Sequence, residues 1–139
     1  MRGRAFTLVE ILIVVVILGI LAAIVIPQYA AATDQAAEST TIHDLQKLRR
    51  AIEVYKAKEH NSVPSVVAGN GTWDVIVSPD YIKSAPTNAW VGGSNSRIIV
   101  IDSSPDTEYQ TDYGWIFDDT TGDIWAGGFD GNDKPWPKP

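Results

Sequence analysis

The chain has 139 residues, a formal net charge of −6 from 17 acidic and 11 basic side chains, and no cysteine. That is enough for one small domain beside a long apolar segment. The acidic balance speaks against a nucleic-acid binder, which shows a basic face, and the missing thiols exclude disulfides and cysteine chemistry. The two histidines, His43 and His60, show no zinc spacing and complete no catalytic triad, so nothing in the composition points to an enzyme.

The chain opens on a basic leader, residues 1–5, with Arg2 and Arg4. An apolar span then runs from Phe6 to Ile26, interrupted only by Glu10. As a helix it would reach roughly 31 Å, the thickness of a hydrocarbon core. The run is longer than the h-region of a secretory signal, and the small pair Ala22-Ala23 lies inside it rather than after it. The two arginines keep the N-terminus cytoplasmic, which predicts a single span with the C-terminal part outside the cytoplasm. An ionisable group in such a span costs about 2.5–3.5 kcal/mol at the centre and less near an end. Glu10 therefore reads as a working residue. A plainer reading is that it sits in the first helical turn, where the macrodipole favours an anion.

Pro27 removes a backbone donor and predicts a bend, after which helix formers resume. Ile42, Leu45, Leu48, Ile52 and Tyr55 recur at steps of three and four and form one apolar stripe. Asn61 and Pro64 end the helix. The first half is apolar all round and the second half amphipathic, so a small domain should dock on the second half only. The cations Lys47, Arg49, Arg50, Lys56 and Lys58 read as a solvated helix face, with a contact patch as the alternative.

Residues 61–96, rich in Gly, Pro, Ser and Asn, read as a structured connection, within which Trp73 to Val77 is a helical turn or a strand. Strand signals follow at 97–102, 113–117 and 123–126, the last two flanking a five-residue loop that ends in Gly122. Trp115, Phe117 and Ile124 are candidate core residues of a small antiparallel sheet packed on the helix stripe. The fold class is α+β. Near the C-terminus Asp130, Asn132 and Asp133 put three oxygen-bearing side chains around a Gly turn, a candidate calcium (Ca2+) loop set against an ordinary polar turn.

The segment Phe6-Thr7-Leu8-Val9-Glu10 before an apolar helix resembles the N-terminus of type IV pilins and of the pseudopilins of type II secretion, and the likeness extends over residues 4–60. The resemblance implies cleavage by a membrane prepilin peptidase between Ala5 and Phe6, N-methylation of Phe6, and polymerisation into a helical filament through the N-terminal helices. It makes Glu10 the assembly glutamate, and Gly19 and Pro27 the helix-softening positions. Ala5 stands where the family normally has Gly. Further on, residues 81–90 (YIKSAPTNAW) resemble the Tyr-Leu-x-x-x-Pro-x-Asp-Pro-Trp-Gly stretch of major pseudopilins, departing at Ala89 and Val91. Absence of cysteine points the same way, since type IVa pilins usually close a C-terminal disulfide loop.

The implied organisation is a leader at 1–5, a transmembrane and polymerisation helix at 6–27, and a periplasmic pilin-like domain at 28–139 that includes the second half of the helix. The implied role is a major pseudopilin held in the inner membrane until an assembly platform and motor extract it into a homo-oligomeric filament with minor pseudopilins. A surface type IV pilin, or a minor pilin-like tip subunit that binds DNA or a surface, are the alternatives. The presence of Glu10 favours a repeating subunit, and no nucleic-acid partner is expected.

Overall fold

The computed structural model describes residues 6–139. One helix, α1, spans Leu8–Lys58 and is continuous through Pro27. The chain divides into two compact units, the first ending at Gln35 and the second running Ala36–Pro139.

In the first unit nothing covers the helix. Every large apolar side chain from Phe6 to Tyr29 is at least half exposed. A helix apolar all round is stable only in lipid or against other helices, and this one is long and apolar enough to cross a membrane.

In the second unit α1 buries Thr41, Leu45, Leu48, Ala51 and Ile52, a line at helical spacing. Ile42 and Tyr55 flank it, half-buried. The stripe meets a three-stranded sheet: β1 (Ile99–Ile101), β2 (Trp115–Phe117) and β3 (Ile124–Ala126), in spatial order β1-β2-β3. Trp115, Phe117, Ile124 and Ala126 join Leu45 and Leu48 in one core cluster. Ile116 is also buried but lies outside that cluster, as the two-residue period of a strand requires. Trp73 packs edge-on to Trp115 and Phe117, with centroids 6.3 and 6.2 Å away, the geometry that ring quadrupoles favour.

The sheet is mixed, not antiparallel. β2 and β3 form the expected hairpin, pairing Phe117 with Ile124, but β1 runs parallel to β2 with Ile99 opposite Trp115. The cause is the connection. A parallel pair needs a crossover of about a dozen residues to bring the chain back to the same end, and residues 102–114 supply it. Trp73 to Val77 resolves as a turn of 3-10 helix at Asp74–Ile76. α1 ends with His60 and Asn61 in the left-handed region (φ 54° and 66°), and the Asn61 N–H bonds back to the Lys56 carbonyl at 2.7 Å, closing the last turn.

One buried polar node ties these parts together. Asn88 is fully buried. Its amide donates to the Gly114 and Gly127 carbonyls, 2.8 Å each, and its oxygen accepts from the Thr41 hydroxyl on α1 and from the N–H groups of Trp90 and Val91. Both glycines are required by close backbone approach. A Cβ at Gly114 would lie 2.2 Å from the Ser96 carbonyl oxygen, and one at Gly127 would lie 2.3 Å from that of Tyr113.

Candidate assembly and processing site

The leader and Ala5 lie outside the described residues. Phe6 is 81% exposed at the head of α1. The next residues form a reciprocal cap. Glu10 Oε2 accepts from the Thr7 backbone N–H and from its hydroxyl, both at 2.9 Å, while Thr7 Oγ1 accepts from the Glu10 N–H at 3.2 Å. This is a capping box, in which the residue before the helix and the third helical residue satisfy each other's free backbone donors. The Glu10 carboxylate is thus tethered to its own helix start, one turn from the Phe6 nitrogen. The Thr-x-x-Glu spacing could have been read from the sequence as a cap.

Gly19 has open space around it, and a Cβ placed there would meet nothing within 4 Å. Pro27 sits inside α1. Neither makes a contact that explains it within one chain.

The C-terminal trio finds protein partners. Both Asp133 oxygens bind the Arg49 guanidinium, at 2.5 and 2.8 Å, and Arg49 also donates to the Ile124 carbonyl. Asp130 Oδ1 accepts from the N–H groups of Asn132 and Lys134. The Lys134 N–H does most to hold the Asp130 carboxyl below its ordinary range, with burial opposing. Among the described residues no group of three or more His, Cys, Asp or Glu side chains is placed to hold a metal ion. Asp130 and Asp133 are thus engaged by the chain's own groups, in a turn clasped to α1 by Arg49.

The other helix cations are also mostly occupied. Lys47 pairs with Asp44 at 2.8 Å, Lys56 donates to the Thr121 carbonyl, and Lys58 lies over the Tyr81 ring. Tyr81 in turn packs on Tyr55, with centroids 5.6 Å apart. His43 and His60 are exposed.

Comparison with known proteins fits this architecture. Residues 1–26 match the family model described as the prokaryotic N-terminal methylation motif. A type II secretion system core protein G from Pseudomonas aeruginosa is 44% identical over 101 residues, covering 64% of this chain and 69% of that one. The chain belongs to the type IV pilin and type II secretion pseudopilin family. A core protein G from Pectobacterium carotovorum is 31% identical over 112 residues, 81% of this chain and 65% of the relative. The chain thus spans just under two thirds of that pseudopilin's length. A type IV narrow pilus major component, PilA5, from Thermus thermophilus is 30% identical over 107 residues, 77% of this chain and 85% of the relative. No solved structure matches. Pseudopilin relatives combine with an N-terminal helix apolar enough to cross a membrane, and the helix head just described is the part that the methylation motif covers.

Proposed function

We propose that this chain is the major pseudopilin of a type II protein secretion system, a structural subunit that polymerises into a periplasmic filament. The observation that carries this is the 44% identity to a core protein G together with the Phe6–Glu10 cap at the head of an uncovered apolar helix. In this reading residues 1–5 are the leader, removed by a prepilin peptidase between Ala5 and Phe6, and Phe6 is N-methylated. Residues 6–27 anchor the subunit in the inner membrane and later pack against the same helix of neighbours. Residues 28–139 are periplasmic. An inner-membrane platform and motor extract the subunit, and minor pseudopilins start the filament.

Glu10 has two uses in this scheme. In the single subunit, the cap satisfies its carboxylate locally, so the span carries no orphaned anion. In the filament, the amine released at a neighbour's Phe6 supplies a full positive charge. In a medium of low dielectric that ion pair outweighs two hydrogen bonds to neutral groups. The exchange fixes the axial register between subunits. Gly19 and Pro27 lower the cost of departing from helix geometry where the bundle must bend or unwind.

The Thermus relative, a narrow-pilus component, favours a second reading in which the same subunit builds a surface type IV pilus.

Two variants separate charge from capping. Glu10→Gln keeps the acceptors of the cap but not the charge, and Glu10→Leu removes both. Each should be processed and retained in the membrane, and each should lower filament yield tenfold or more, about what ~1.4 kcal/mol per subunit contact gives. If Glu10→Gln assembles as well as the parent chain, capping rather than pairing is what Glu10 contributes.

A further inference from the structure

A groove of about 730 Å³ opens on the second unit between α1 and the segment 80–87. Its floor is aliphatic, with Leu48, Ala51 and Ile82. Its rim carries Arg50, Lys83 and Arg97. All three are exposed, and among the described residues none of their charged groups has a hydrogen-bond or ion-pair partner. Lys47 and Asp44 also line the groove but neutralise each other, and Asp80 offsets one of the three free cations. On a chain whose net charge is −6, this is a concentrated positive surface.

The opposite sign is equally segregated. From residue 98 to 133 there are nine Asp and Glu and no Lys or Arg. None of that segment lines the groove, whose walls end at Arg97. The crossover from β1 to β2 presents Asp102, Glu108 and Asp112 to solvent. It is held in shape from within. Asp106 accepts from the Tyr113 hydroxyl at 2.5 Å, from Gln110 Nε2 at 2.8 Å and from the Gly128 N–H at 2.6 Å. Burial, the hydrogen bond to Asp106 and the charges of Asp106, Asp102 and Asp112 together push the Tyr113 phenol above its ordinary value.

We infer that the groove is the seat of the crossover loop of a second copy of this chain, with Glu108 and Asp112 of one subunit set against Arg50 and Lys83 of the next. The donor and acceptor surfaces differ, so the contact is head-to-tail, the kind that builds an open filament when its rotation does not close a ring. Complementary charge steers and registers the contact, and the prearranged loop loses little freedom on docking. The inference rests on the proposed filament role and adds a second register point in the globular domain, separate from Glu10.

The full chain, co-expressed with an assembly apparatus, tests it. Arg50→Glu with Lys83→Glu should lower filament yield about tenfold, and so should Glu108→Lys with Asp112→Lys. The four changes together should restore yield to within about twofold of the parent. A matched reversal outside the contact, Glu59→Lys with Asp119→Lys, should leave yield near the parental level. The absence of native cysteine gives an independent reading that does not depend on yield. Filaments carrying both Lys83→Cys and Asp112→Cys should give a ladder of cross-linked subunits on oxidation, and either cysteine alone should give dimers at most. No recovery in the combined variant, an equal loss from the matched reversal, or assembled filaments without a ladder overturns the inference. A parent chain that builds no filament overturns the function on which it rests.

Discussion

Asn88 shows how much one side chain can hold. Its amide group makes five hydrogen bonds that reach α1, the loop at 90–91 and the backbone where β2 begins and β3 ends, side by side at the open end of the hairpin. Removing it leaves the Gly127 carbonyl and the Val91 N–H without their partner in a dry site, while the Gly114 carbonyl keeps the Gly127 N–H and the Trp90 N–H keeps the Thr41 hydroxyl. Asn88→Ala should cost about 3 kcal/mol or more. In a fragment from residue 30 onward, that is a melting temperature lower by over ~10 °C. Asn88→Asp should be at least as damaging, because it sets an oxygen against two carbonyl oxygens. A fall of under ~3 °C for both variants would mean the node is not structural. Asp118 gives a different handle. It is buried at the start of the β2–β3 loop, and hydrogen bonds from Thr120, side chain first and then backbone, with the Thr121 N–H, hold its carboxyl down to about 2 from an ordinary 3.8. A group whose folded pKa is depressed adds stability above its unfolded pKa and loses it as pH falls through the folded value. The stability gap between parent and Asp118→Asn should therefore be full near pH 5, shrink from about pH 4 and level off only below about pH 2. A gap that stays constant across that range contradicts the assignment.

At the scale of elements, what the sequence carried was period and composition. The stripe from Ile42 to Tyr55 is the face that α1 presents to the sheet, because the step of three and four is a local property. Thr41 and Ala51 are buried beside it, too small or too polar to stand out in the pattern. The three strands fall where β-branched and aromatic residues cluster, yet the parallel pairing of β1 with β2 was not legible. Direction depends on the path of residues 102–114, which has no period. The same limit hid the Arg49–Asp133 clasp, 84 residues apart in the chain. At the head of α1, Glu10 stood out in the sequence by its charge, whereas Thr7, its capping partner, did not. The end of α1 is an element that can be improved. His60 occupies a left-handed position that, where a helix ends this way, glycine usually fills. His60→Gly should raise stability by about 0.5–1 kcal/mol, seen as a melting temperature a few degrees higher. A lower one would mean the His60 side chain holds the helix end in some other way.

At the scale of the whole molecule, two surfaces lack a partner within one chain. Among the described residues nothing covers the apolar helix of the first unit, and Arg50, Lys83 and Arg97 at the groove of the second unit have no ion-pair partner. The proposed filament would supply both partners from further copies, one through helix packing and the other through charge. The central claim is that mature subunits beginning at Phe6 build a filament, and the mass of the chains released from isolated filaments tests it most directly. The main component should be this chain starting at N-methylated Phe6. Filaments in which this chain begins at Met1, or begins at any residue past Ala22, would contradict it.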